Sequence, residues 1–143
     1  MASADGQTIL CVEDEVLVRL LVAEFFRDHG FRVLEAATAA EALTFLQCPD
    51  SEIDFLFSDI RLPGEMDGIA LADWTRQHYP RIPVLLVSGY HRHHSFDGRF
   101  DIISKPYSFE HILDRVQQML EDNGSDTAFT HAISESSENG FLR

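Results

Sequence analysis

Three features of this 143-residue chain predict a doubly wound α/β domain with a five-stranded parallel sheet covered by helices on both faces. First, apolar runs of four or five residues alternate with amphipathic stretches, and continuous apolar runs flanked by helices are how strands buried on both faces read. Second, the amphipathic stretches carry recognisable helix start and stop signals. Third, the length is close to one domain of about 150 residues, and 45% hydrophobic against 24% charged residues is the balance of a chain that buries a core.

The strands are read as Thr8–Val12, Arg32–Glu35, Phe55–Ser58, Val84–Val87 and Asp101–Ile103. Between the first two, Val18, Leu21, Val22 and Phe25 recur at helical spacing, Leu17, Leu20 and Phe26 widen the apolar face, and Gly30 stops the helix. Thr38-Ala-Ala-Glu41 is a capping box for a second helix through Ala42, Leu43 and Leu46, closed by Pro49. A third helix runs from Asp67 to about Tyr79, before Pro80. From Gly89 to Phe100 there is no apolar period of 3.6, so a short turn or loop is expected in place of a regular fourth helix. The last helix opens at Ser108 and places Phe109, Ile112, Leu113, Val116 and Leu120 on one stripe. Alternation of strand and helix implies right-handed crossovers. Phe25, Phe26, Phe31, Phe45 and Phe57 are assigned to the core.

Residues 1–6 are small and polar and are expected to be flexible, residues 7–121 form the domain, and residues 122–143 read as a mobile acidic tail. The 23 residues after Leu120 carry five acids against one base, too short a stretch for a further folded module; a docking strip around Phe129 to Ile133 is the minority reading. Eleven basic against 24 acidic side chains leave a formal charge of −13 with no basic stripe, which argues against direct contact with nucleic acid or anionic lipid. Apolar runs such as Ile9–Val12 and Val84–Val87 are far below the roughly 20 residues of a membrane helix, and no signal peptide is expected. Cys11 and Cys48 are the only cysteines; both are read as reduced core thiols, which suits a cytoplasmic protein.

In an open parallel sheet, ligands sit outside the carboxyl ends of the strands. Glu13 and Asp14 follow the first strand, Asp59 the third, Ser88 the fourth and Lys105 the fifth. Three carboxylates meeting at one edge call for a hard divalent cation, and Mg2+ tolerates a few carboxylates while keeping its waters. With the ammonium of Lys105 and the hydroxyl of Ser88 opposite, the set suits a tetrahedral dianion: metal and cation to spread charge, and a carboxylate nucleophile for phosphoryl transfer. Singly, each acid after a strand is more often a turn or cap. Jointly, four strand ends with complementary chemistry favour a site.

From about Gln7 to Leu120 the chain resembles the receiver domains of two-component response regulators. The pieces that carry the likeness are Ile9-Leu-Cys-Val-Glu-Asp-Glu15, Ser58-Asp-Ile-Arg-Leu-Pro63, Met66-Asp-Gly68, Val87-Ser-Gly89 and Ser104-Lys-Pro-Tyr107. The resemblance implies a flavodoxin-like sheet of order 2-1-3-4-5. It implies that Asp59 is the phosphoacceptor, that Asp14, Asp59 and the backbone carbonyl of Arg61 ligate Mg2+ with Glu13 acting through water, and that Ser88 and Lys105 bind the phosphoryl oxygens. It also implies a cis Lys105–Pro106 bond. Asp67-Gly68 is left with a structural, helix-capping role.

The chain departs from the family pattern in several places. The loop after Asp59 has one residue more than the commonest spacing, at Gly64-Glu65, and is expected to bulge. Ile102 stands where many receivers carry an aromatic switch, while Ser88-Gly89-Tyr90 resembles a subgroup with the aromatic just after the fourth strand. Tyr90 either reports the state of Ser88 or packs over the pocket mouth. With Arg61 it flanks the acceptor, which predicts slow self-dephosphorylation through screening from water. His91, His93 and His94 read as a solvated, partner-facing patch rather than a zinc site. Trp74 reads as packing, with anchoring of a partner helix as the alternative.

Because the 23 residues after Leu120 are too few for an output module, a single-domain response regulator is expected, and the resemblance implies that it takes phosphate from a sensor histidine kinase or histidine phosphotransfer protein. Output is then phosphorylation-dependent binding to a downstream protein, or onward relay of phosphate; a weak homodimer stays open. Such a chain performs much of its own phosphorylation and dephosphorylation without being a turnover enzyme. A pseudo-receiver that only binds proteins is the alternative. A haloacid dehalogenase-type phosphatase needs a second acid where Arg61 stands, and a flavodoxin-like electron carrier needs a phosphate cradle where Glu13 and Asp14 would repel the flavin phosphate.

Overall fold

A computed structural model describes residues 6–89 and 98–135, with side chains described up to Asn123. Strands β1 (Thr8–Val12), β2 (Arg32–Ala36), β3 (Phe55–Asp59), β4 (Val84–Ser88) and β5 (Asp101–Ser104) form one parallel sheet of order β2-β1-β3-β4-β5. Helices α1 (Val16–Asp28), α2 (Ala39–Leu46), α3 (Gly68–His78) and α4 (Phe109–Glu135) cover it. β1, β3 and β4 are buried along their whole length, which is why their sequences run apolar without alternation.

Two cores result, one on each face of the sheet. Ile9, Cys11, Phe55, Phe57, Leu85 and Val87 point toward α1 and α4, where Val22, Ala23, Phe26, Ile112 and Val116 meet them. Leu10, Val12, Leu56, Val84 and Leu86 point toward α2 and α3, against Ala39, Ala42, Leu46, Leu71 and Ala72. Phe26, Phe31 and Phe57 are buried as expected, whereas Phe25 and Phe45 pack on the rims of these cores.

The helix signals were legible. Thr38 Oγ1 accepts from Glu41 N–H at 3.1 Å, and Glu41 reaches back to Ala37 N–H at 2.7 Å, so the capping box forms one residue displaced on its return arm. Asp67 caps α3 through Ala70 N–H at 2.9 Å, and Ser108 accepts from His111 N–H at 3.0 Å. Pro49 opens a short 3-10 turn, Pro49–Ser51, rather than merely ending α2.

Four expectations are corrected. β2 to β5 each extend one residue further than their apolar runs, so that Asp59 and Ser88 are the last paired residues of their strands, opposite Val87 and Ser104; a polar side chain hides the pairing of its own backbone. The apolar face read on α1 is wider than the stripe that the sheet covers: Leu17 is 73% exposed and Leu21 60%. The last helix runs on past Leu120 to Glu135, because no proline intervenes and Gly124 costs a helix only about 1 kcal/mol. Of the segment expected to be mobile, residues 136–143 lie outside the described residues. Cys11 is buried, but Cys48 is exposed and is not a core thiol; both are free. No described helix is long and apolar enough to cross a membrane.

Candidate functional site

All five strands run in the same direction, so the residues following β1, β3, β4 and β5 gather at one edge. There an open cleft of about 560 Å³ is lined by Glu13, Asp14, Asp59, Arg61 and Lys105, with Glu15, Leu62, Pro63 and Gly89 around them. Residues from the ends of four strands thus meet at this cleft, although β4 contributes Gly89 to its lining rather than Ser88.

Asp59, 6% exposed, stands at the end of β3. Its Oδ2 accepts from Lys105 Nζ at 2.7 Å and its Oδ1 from Arg61 N–H at 3.1 Å. The Lys105 ammonium lies 4.0 Å from Glu13 Oε1 as well. Burial alone would lower the Lys105 pKa, but the hydrogen bond and charge of Asp59, reinforced by Glu13, hold it above its ordinary value. The peptide bond from Lys105 to Pro106 is cis, and Lys105 N–H donates to Ser88 O at 2.8 Å, which ties the β5 loop to the end of β4.

Glu13 is as buried as Asp59, and its Oε2 accepts from Glu15 N–H at 2.9 Å. Burial pushes its pKa up to about 7; the Glu15 N–H opposes that shift, the charge and hydrogen bonding of Asp59 add to it, and Lys105 counters in part. Four acids, Glu13, Asp14, Glu15 and Asp59, line the cleft beside two cations, Lys105 and Arg61, so acids outnumber bases there. Tyr107, after the cis proline, has its hydroxyl pKa raised to about 12, first by burial and then by Glu13.

Among the described residues, no three His, Cys, Asp or Glu side chains converge into a ready-made metal cage. The metal-ligating side chains that line the cleft are carboxylates throughout, those of Glu13, Asp14, Glu15 and Asp59. Mg2+ takes few protein oxygens and retains waters, so an all-oxygen cleft with surplus negative charge fits it, and a thiol- or imidazole-seeking metal does not.

Ser88 is 2% exposed at the end of β4. Ile102 is half-buried on β5 and packs toward the α2–α3 core, an aliphatic where an aromatic could have swung. Tyr90, His91, His93 and His94 lie outside the described residues. Trp74 is half-buried against the α2–α3 core and stacks on His78, ring centroids 4.1 Å apart. In the loop after Asp59, Gly64 takes φ +97°, the left-handed conformation that glycine admits most readily.

Sequence reasoning missed two contributors. Gly68 lies so close to β3 that a Cβ there would collide with the backbone of Asp59 and Ile60, and its N–H donates to Ile60 O at 2.8 Å. Its signal was read only as helix capping. Arg19 reaches from α1 to the carbonyl of Glu13; nothing in a helical apolar pattern marks one arginine as inward-facing.

A five-stranded parallel sheet of order 2-1-3-4-5, with acids and a facing ammonium at its carboxyl edge, defines a flavodoxin-like α/β domain with an acidic cleft. The chain belongs to the response regulator receiver domain family, whose model matches residues 9–117. It is 36% identical over 119 residues to the sensor kinase CckA of Brucella abortus, covering 80% of this chain and 12% of that protein. It is 30% identical over 122 residues to the nitrogen assimilation regulatory protein NtrX of Azorhizobium caulinodans, covering 79% and 26%. The crystal structure of the receiver domain from hybrid histidine kinase CckA superposes with a TM-score of 0.68 at 36% identity, covering 79% of this chain and 98% of that one. The chain thus spans from an eighth to about a quarter of these two curated relatives.

Proposed function

We propose that this receiver domain accepts a phosphoryl group on Asp59 from a protein phosphohistidine, with Mg2+ in the cleft, and signals by phosphorylation-dependent protein binding or by passing the phosphoryl group on. The observation that carries the reading is the buried Asp59 held by Lys105 at 2.7 Å on the floor of the acidic cleft. In the transfer, a carboxylate oxygen of Asp59 forms a bond to phosphorus as the P–N bond to histidine breaks, and the departing imidazole nitrogen keeps the electron pair and takes a proton.

Lys105 contributes a fixed cation beside the nucleophile, able to follow charge onto the phosphoryl oxygens. Asp14, Asp59 and the Arg61 carbonyl would hold Mg2+, with Glu13 acting through water; when bound, the ion neutralises phosphoryl oxygens and helps to orient the group. Ser88, at the end of β4, would supply a hydroxyl to the same oxygens. A protein donor is supported by α1: Val16, Leu17, Leu20 and Leu21 are 57%, 73%, 46% and 60% exposed, an apolar patch that begins two residues after Asp14. A sensor histidine kinase or a histidine phosphotransfer protein matches that need. The two free cysteines suit a reducing, cytoplasmic setting.

The test is intact-mass measurement after incubation with a small phosphodonor, with and without Mg2+. Wild type is expected to gain one phosphoryl group only with Mg2+, and Asp59→Asn none. A wild type that stays unmodified under every condition would turn the reading toward a pseudo-receiver that acts by binding alone.

A further inference from the structure

The turn that carries Glu13 and Asp14 is gripped from behind by a cation that the transfer chemistry does not touch. Arg19, in the first turn of α1, bends back toward the helix start, the direction in which helical side chains lean. Its Nη1 donates to Glu13 O at 2.9 Å and its Nε to Glu35 Oε1 at 3.2 Å, with the side chain only 16% exposed. Glu13 N–H, for its part, donates to Ala36 O at 3.0 Å. Both backbone polar groups of Glu13 are therefore anchored to β2, one directly and one through the guanidinium and Glu35.

The carbonyl that Arg19 holds belongs to the peptide plane joining Glu13 to Asp14. That plane sets the direction in which Asp14, itself exposed at the cleft, offers its carboxylate. We infer that Arg19, braced by Glu35, is a positioning residue for Mg2+: it holds the Glu13–Asp14 peptide so that Asp14 meets the ion in register with Asp59. The inference rests on the Mg2+-dependent function proposed above.

Two features set this apart from a clamp that serves only the fold. Mg2+ demands nearly ideal octahedral geometry, so a tilt of one peptide plane acts on affinity more than on stability. Glu35 also pairs with Arg27 Nη2 at 3.1 Å, so removing Arg19 does not leave a half-buried carboxylate without a cation, and Arg19→Gln is expected to fold.

The experiment is calorimetric titration of MgCl2 into the full chain, beside thermal melts in chelator. Arg19→Gln is expected to weaken Mg2+ binding by about tenfold, the usual loss when a residue orienting a metal ligand is removed, while the metal-free melting temperature falls by only a few degrees. Phosphoryl uptake from a small donor should lag at low Mg2+ and return to the wild-type rate at saturating Mg2+. Glu35→Gln should shift affinity in the same direction by a smaller factor, since the guanidinium still reaches Glu13 O. A folded Arg19→Gln with wild-type Mg2+ affinity, or an uptake deficit that persists at saturating Mg2+, overturns the inference. If Arg19→Gln does not fold, unchanged affinity in Glu35→Gln overturns it instead. Wild type that binds no Mg2+ sinks the functional reading as well; wild type that binds Mg2+ and is phosphorylated beside unaffected variants sinks this inference alone.

Discussion

At the scale of single residues, the site depends on groups whose role is visible only from what surrounds them. Glu13 is an acid whose folded-state pKa, about 7, lies above the ordinary 4.5. Between those values the folded chain binds a proton that the unfolded chain has released, so the metal-free protein loses stability as pH rises from about 4.5 to about 7 and levels off above. Glu13→Gln is expected to flatten that slope, and urea midpoints measured across the window would show it. In wild type, Mg2+ affinity should rise over the same window as the competing proton leaves. Gly68 poses a steric rather than an electrostatic problem. Because a Cβ there would strike the Asp59 carbonyl, Gly68→Ala is expected to cost about 1–3 kcal/mol, the usual range for overpacking, and to slow phosphoryl uptake by displacing the acceptor backbone. A denaturation midpoint and an uptake rate equal to wild type would contradict both.

Elements show where a pattern can mislead. The apolar residues of α1 satisfy the helical period, yet the sheet buries one stripe, Val22, Ala23 and Phe26, and leaves Leu17 and Leu21 in solvent. Period identifies the helix; it does not say how much of an apolar face has a partner. Leu17→Glu with Leu21→Glu should therefore leave stability within about 0.5 kcal/mol per site and phosphorylation by a small donor unchanged. Transfer from a protein phosphohistidine should slow by about tenfold, the scale of one interface anchor. Parallel kinetics with the two donors would decide it, and equal slowing with both would place the defect in the cleft. α2 and α3, by contrast, were readable almost residue by residue, since Thr38, Glu41 and Asp67 cap them with their own side chains.

Taken as a whole molecule, the domain has two cores that share one sheet, and neither can dissolve while the other stands. Ile9 and Leu10 are neighbours on β1 that face opposite cores, both fully buried. Ile9→Ala and Leu10→Ala are each expected to cost about 2–5 kcal/mol. In both variants, far-UV ellipticity and Trp74 fluorescence should report one coincident transition, although Trp74 packs only on the α2–α3 side. Separate midpoints for the two probes would show that the faces unfold independently.

By itself, the sequence determined the strand count, the caps, the parallel strand direction that the alternation of strand and helix demands, and the set of acids, hydroxyl and lysine at the strand ends. These are local facts: a buried strand must be apolar, a helix start needs a side-chain acceptor, and the residue after a strand must leave the sheet at its carboxyl edge. Tertiary structure decided the rest. It paired the backbones of Asp59 and Ser88 into their strands, turned Arg19 inward onto the Glu13 carbonyl, left the α1 leucines uncovered and set Gly68 against the acceptor. Each of these depends on distances between segments far apart in the chain, and no local pattern of polarity encodes a distance.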